Sequence, residues 1–230
     1  MKIVLFDIDG TLLLSDGAGR RAIHAALRES FGSVGPADLW FDGKTDRQIV
    51  RELMRAEGHD DDRIDERMDQ LLENYLVHLD RELRSPEHYP LVFAGVVELL
   101  EALEAREDVV LGLLTGNLER GAAAKLRRVG LDPARFSVGA FGSDHEHRTE
   151  LPGIAQKRAC QLLGCEVAGA SVVVIGDTPA DVLCGRGIGA RSIGVATGRY
   201  DVGQLAAHGA HAVFPDLTAT SAVVGAILHD

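Results

Sequence analysis

With 230 residues, nearly half of them hydrophobic and a quarter charged, the chain has room for one large α/β domain, or for a core of about 150 residues plus a smaller insert. Its formal charge of −11 (24 Lys and Arg against 35 Asp and Glu), without basic stretches interleaved with aromatics, does not suit nucleic-acid binding through counterion release. No apolar run reaches bilayer length, and Cys160, Cys165 and Cys184 form neither a disulfide framework nor a zinc motif, so a cytoplasmic protein with reduced thiols is expected.

Residues 2–8 are a short β-branched and apolar run ending in Asp7-Ile8-Asp9-Gly10, the pattern of a strand buried on both faces. The run turns acidic too early for a secretory leader. From residue 17 to about residue 83 the apolar residues fall at helical spacing among many charges. Helices are predicted over 18–31 (Ile23, Ala26, Leu27, Phe31), 46–57 (Ile49, Val50, Leu53, Met54) and 61–83 (Ile64, Met68, Leu71, Leu72, Tyr75, Leu76, Leu79), with Asp46 as N-cap of the second. No strand is predicted there.

After Pro86 and Pro90, helices and strands alternate. The expected order is helix 95–105, strand 108–114 ending at Thr115-Gly116-Asn117, helix 118–129 stopped by Gly130, and strand 136–141. Helix 151–163 follows, stopped by Gly164, then strand 171–175 ending at Gly176-Asp177 and helix 180–186. Strands 191–195 and 212–214 and helix 221–228 complete the chain. This rhythm predicts an α/β fold: a doubly wound, Rossmann-like parallel sheet with right-handed crossovers, carrying an inserted α-helical cap. Residues 1–15 and 85–230 are assigned to the core and 16–84 to the cap.

Ligands of such sheets bind beyond the carboxyl ends of the strands. Those ends carry Asp7 and Asp9, then Thr115 and Asn117, then Asp177, with Asp181 four residues on. Crowded carboxylates repel unless a cation or proton intervenes. A hard cation with oxygen ligands, magnesium above all, suits a site without Cys or His and suits phosphate substrates. A carboxylate can also attack phosphorus directly.

Asp7-Ile8-Asp9-Gly10-Thr11-Leu12, Leu114-Thr115-Gly116-Asn117 and Gly176-Asp177-Thr178-Pro179-Ala180-Asp181 resemble, in order and at fitting spacing, three motifs of the haloacid dehalogenase-like hydrolase superfamily. The likeness is strongest to its phosphoglycolate phosphatase-like branch, which has a helical cap. The resemblance implies a magnesium-dependent phosphatase acting on a small phosphorylated metabolite through an aspartyl-phosphate. Asp7 would attack phosphorus. Asp9 would act as acid and base and bind Mg2+ through its backbone carbonyl. Thr115 and the Gly116 and Asn117 amides would hold phosphate oxygens. Asp177 would bind the metal, and Asp181 would support it directly or through water. The family's usual Lys between the second and third motifs is missing from His147-Arg148-Thr149-Glu150-Leu151-Pro152; Arg148 is assigned its role, with Lys157 and Arg158 as weaker candidates.

Four further features are read from the sequence. Gly43-Lys44-Thr45-Asp46 is expected to face the active site, with Lys44 toward a substrate carboxylate. Trp40-Phe41 belongs either to the cap core or to a closure over the substrate. His145 and His147 read as a solvated loop rather than a metal site. The acidic residue at position 9 argues against a dehalogenase; a phosphomutase would share every core residue, and a non-catalytic binding module would not need the intact set.

Overall fold

The computed structural model describes residues 1–229. Its sheet is built from β1 (Lys2–Phe6), β4 (Val109–Thr115), β5 (Val138–Phe141), β6 (Val172–Gly176), β7 (Arg191–Val195) and β8 (Ala212–Phe214). All pairings are parallel, in the order β5-β4-β1-β6-β7-β8. Successive side chains of β1 point to opposite faces, as a strand requires. Val4 and Phe6 pack on one face with α4 (Val96–Glu104), α5 (Glu119–Arg128) and α9 (Thr220–Leu228). Ile3 and Leu5 pack on the other with α6 (Leu151–Leu163) and α7 (Pro179–Cys184). Each large side chain fully buried in this way contributes roughly 1.5–3 kcal/mol over its exposed state.

Between β1 and β4, the helices α1 (Ala18–Phe31), α2 (Asp46–Ala56) and α3 (Asp61–Arg84) build a separate apolar cluster, with Ile23, Leu27, Leu53, Ile64, Leu71 and Tyr75 at its centre. The chain leaves and re-enters the sheet region through β2 (Leu13–Leu14) and β3 (Leu91–Val92), an antiparallel pair. Among the described residues no helix is long and apolar enough to cross a membrane.

The sequence reading and the structure differ in small ways with physical causes. The N-cap of α2 is Thr45, whose side chain accepts the Gln48 N–H at 3.1 Å, and not Asp46. Asp46 instead enters the first turn and turns its carboxylate inward. The predicted strand 136–141 begins only at Val138, because Pro133–Arg135 is taken up in a 3₁₀ turn capped by Asp132. The β2–β3 pair, too short to show alternation, and α8 (Val202–Ala207), which opens with a capping box between Asp201 and Gln204, are not among the predicted elements.

Candidate active site

The parallel register determines where the site lies. Phe6 of β1 stands opposite Leu113 of β4 and Ile175 of β6, so the residues beyond all three emerge at one edge. The sheet runs outward from β1 in both directions, and the cleft opens at this reversal. Asp7, Asp9, Thr115, Gly116, Asn117, Arg148 and Asp177 line one cavity of about 220 Å³. Gly10 makes the turn after β1 possible. It has φ +84°, and a Cβ there would lie 2.3 Å from an Asp177 carboxylate oxygen.

On the sheet side, carboxylate oxygens of Asp7, Asp177 and Asp181 all lie within 4.8 Å of one another, and all three residues are buried. Arg148, in a 3₁₀ turn leading into α6, reaches this cluster. Its Nη2 lies 3.1 Å from Asp7 Oδ1 and donates to Asp181 and, at 3.2 Å, to the Leu114 carbonyl. Burial pushes the Asp7 carboxyl up to about 6, with Arg148 opposing and Asp181 and Asp9 adding to the rise. Burial, with Asp181 and Asp7, also pushes Asp177 up. Three buried carboxylates thus gather around a single guanidinium that pairs with only Asp7 and Asp181, a charge imbalance that a hard divalent cation corrects. The oxygen-only donor set fits magnesium. Asp181 is the most committed of the three, because its other oxygen accepts the Thr178 hydroxyl at 2.6 Å and amide at 3.0 Å. That occupancy suits a supporting role better than direct ligation.

Asp9 has different company. Its Oδ1 accepts the Ser15 hydroxyl at 2.7 Å; its Oδ2 accepts the Asn117 amide group at 2.9 Å and the Lys125 ammonium at 2.6 Å. Burial pushes this carboxyl up, but the charge and hydrogen bond of Lys125, with Ser15 and Asn117, hold it below its ordinary value. Its side chain therefore lies outside the acidic cluster around Asp177. Thr115 is fully buried and accepts the Asn117 amide group at 2.7 Å. Lys125 was missed by the sequence reading. It sits on α5, only 4 % exposed, with its ammonium also donating to Asn117 Oδ1 at 2.6 Å.

The opposite wall comes from the helical segment: Gly17, Arg20, Ile23, Phe41, Lys44, Asp46 and Tyr75. Lys44 lines the cavity, with its ammonium already paired to Glu52. Its loop lies directly on the Thr115 loop. Asp46 N–H donates to the Gly116 carbonyl at 2.8 Å, and a Cβ on Gly116 would come 2.0 Å from the Lys44 carbonyl. Phe41 meets both expectations, packing against the apolar cluster of the helical segment and facing the cavity under the Arg20 guanidinium, while Trp40 meets neither and lies exposed beneath Arg199 of the loop after β7.

Asp46 accepts the Leu118 N–H at 2.9 Å while buried. Burial pushes its carboxyl up to about 6 against the pull of Lys125. A carboxyl raised in this way favours folding while protonated and loses that contribution as pH rises from about 4 to about 6, roughly 3 kcal/mol by linkage. Asp46→Asn keeps an acceptor for Leu118 and removes the titration. Its melting temperature relative to wild type should therefore rise between pH 4 and pH 8; a pH-independent difference would refute the assignment.

The remaining candidates lie elsewhere. Lys157 is exposed on α6, and Arg158 is engaged with Asp144 at 2.6 Å and the Gly139 carbonyl at 2.7 Å. The His147 N–H donates to His145 Nδ1 at 3.0 Å, and neither ring lines the cavity.

A family model described as "haloacid dehalogenase-like hydrolase" matches residues 1–189. A phosphoglycolate phosphatase of Agrobacterium fabrum is 26 % identical over 211 residues, spanning 87 % of this chain and 82 % of the relative. Among solved structures, a hydrolase from Pseudomonas syringae superposes with TM-score 0.74 at 24 % identity, covering 99 % of both chains. A protein described as a predicted phosphoglycolate phosphatase from Haemophilus somnus superposes with TM-score 0.70 at 19 % identity, over 97 % of this chain and 98 % of the other. At these identities the two superpositions establish the fold.

Proposed function

The chain belongs to the haloacid dehalogenase-like hydrolase family, and on that footing we propose that it is a magnesium-dependent phosphatase that hydrolyses a small phosphoester through an aspartyl-phosphate. The observation that carries this reading is the second carboxylate: Asp9 opens on the same cavity as Asp7 but is held by different partners. Two carboxyls in different environments can take different roles, one attacking while the other exchanges protons. A dehalogenase, which attacks carbon, has no use for the second.

In the first step an Asp7 oxygen attacks phosphorus, the bond to the leaving oxygen breaks, and Asp9, which takes up a proton when the anionic phosphate enters beside it, gives that proton to the leaving oxygen. In the second, water attacks the phosphorus of the aspartyl-phosphate, its proton passes to Asp9, and the bond to Asp7 breaks to release phosphate. Thr115 and the Gly116 and Asn117 amides hold the phosphate oxygens, and Arg148 balances charge beside Asp7. Asp7, the Asp9 backbone carbonyl and Asp177 would hold Mg2+, with Asp181 in support; when bound it would supply neutralisation of phosphate oxygens and favour in-line attack.

The division into a core (1–15 and 85–230) and a cap (16–84) belongs to the same proposal: the cap closes over the ester and excludes water. The curated relative makes phosphoglycolate the first substrate to try, and Lys44 would exchange Glu52 for its carboxylate. The setting is the cytoplasm.

The test is phosphate release from a panel of small phosphoesters including phosphoglycolate, with Mg2+ and with chelator. Release with the metal, falling by about two orders of magnitude or more on chelation, is expected, since the ion supplies several kcal/mol of charge stabilisation. Phosphate transferred to a second hydroxyl instead of water would mark a phosphomutase. No release from any ester would overturn the reading.

A further inference from the structure

We propose that Lys125 is a positioning residue that holds the Asp9 carboxyl at the leaving-group end of the cavity, a role additional to that of Arg148. The proposal rests on the phosphatase reading above. Each of the two reacting carboxyls then has its own cation, brought from a different element: Arg148, before α6, for Asp7 and Lys125, on α5, for Asp9.

The geometry separates the two cations. The ammonium of Lys125 makes 2.6 Å contacts to both Asp9 Oδ2 and Asn117 Oδ1, while the Asn117 amide group itself donates to Asp9 at 2.9 Å. Lys125, Asn117 and Asp9 therefore form a closed triangle of hydrogen bonds, and Ser15 fixes the remaining Asp9 oxygen at 2.7 Å. A carboxyl held at both oxygens has little freedom to swing toward the acidic cluster. Burying such a lysine is costly, and the cost is offset here by its contacts to Asp9 and Asn117. Its surroundings also belong to the helical segment. A Cβ on Gly19 of α1 would come within 3.4 Å of the ammonium, and Asp46 acts on the same region. Lys125 thus lies where the Asp9 carboxyl of the core meets α1 and Asp46 of the helical segment.

A group that acts through Asp9 has a signature that a phosphate-binding cation lacks. Asp9 gives its proton to the leaving oxygen, so its placement matters greatly for an alkyl ester, whose alkoxide leaves badly. It matters little for p-nitrophenyl phosphate, whose phenolate leaves as a stable anion. The comparison uses kcat/KM, which reports the steps through formation of the aspartyl-phosphate. Lys125→Met should lower kcat/KM for an alkyl phosphate by about 100-fold, the lower range of general acid catalysis, with a loss under about fivefold for p-nitrophenyl phosphate. Because the two residues act as one unit, Lys125→Met should add little to the loss already caused by Asp9→Asn. If Lys125→Met does not fold, Lys125→Arg carries the same comparison: the guanidinium keeps the charge but displaces Asp9, so the alkyl ester again suffers more.

Equal losses for both esters, or full additivity with Asp9→Asn, would overturn the proposal while leaving the phosphatase reading intact. A wild-type protein inactive on every ester would instead overturn that reading, and this proposal with it.

Discussion

Asp7→Asn should abolish turnover, lowering kcat by about 10⁴-fold or more as expected for loss of a covalent nucleophile, while the fold survives. The carboxamide is isosteric, so the backbone bond from Asp7 N–H to the Ile175 carbonyl at 2.9 Å is untouched. The substitution also removes one of three buried carboxylates that face a single guanidinium. Because burial pushes Asp7 up to about 6, its contribution to stability is present below about pH 4 and is lost as pH rises through about 6. The variant should lose that dependence and melt no lower than wild type at neutral pH without metal. Added Mg2+ should then raise its melting temperature less than it raises that of wild type, since a more weakly bound ligand stabilises less at the same concentration. Wild-type rates in the variant would refute the nucleophile. An inactive variant with the full magnesium response would separate catalysis from metal binding, placing Asp7 in the first role alone.

The parts of the fold legible in the sequence are those whose burial leaves a one-dimensional trace. The strands β1, β4 and β6 are covered on both faces, so they read as continuous apolar runs, and the polar residues that end those runs line the candidate site. Asp7, Thr115 and Asp177 were found in this way. The β2–β3 pair left no such trace because each strand has two residues. Asp46 was read as a cap because an acidic residue before an apolar stripe fits one. Its neighbour Thr45 fits the same position, and only the approach of the Leu118 amide shows which of them is drawn inward.

Lys125 carried a signal that charge concealed. Beside Arg127 and Arg128 it looks like part of a solvated basic face. Yet Leu118, Gly121, Ala122, Lys125 and Leu126 follow helical spacing and are all buried, so this lysine stands on the apolar stripe of α5. A charged residue in that register, eight positions after the second motif, was a recognisable exception. The choice among Arg148, Lys157 and Arg158 had no comparable signal. It depends on which way the chain turns before α6, and that turn is set by the packing of Leu151 and Ala155 under the sheet.

Arg148→Ala should therefore be the second large effect, and Lys157→Ala a small one. Arg148 is buried and touches Asp7, Asp181 and the Leu114 carbonyl, whereas Lys157 is exposed on α6 and lines a separate surface hollow with Gln156, Cys160 and Val167. Loss of one preorganised charge at the reacting group should lower kcat/KM by about 10²–10³-fold and weaken inhibition by inorganic phosphate; Lys157→Ala should change neither appreciably. Arg148→Ala also leaves Asp7 and Asp181, beside the already crowded Asp177, without their cation. Opening a buried ion pair costs about 3–5 kcal/mol when the charge left behind cannot adapt. Here the carboxyls can adapt by taking up protons, so the stability deficit should be smaller at pH 5 and grow toward pH 8. Magnesium should recover part of it, because the ion replaces the missing positive charge. Arg148→Lys should restore charge but not the reach to three acceptors, leaving stability closer to wild type than activity. If Lys157→Ala weakened phosphate inhibition more than Arg148→Ala, the role would pass to Lys157, and α6 would have to turn by a large angle to bring that side chain to Asp7.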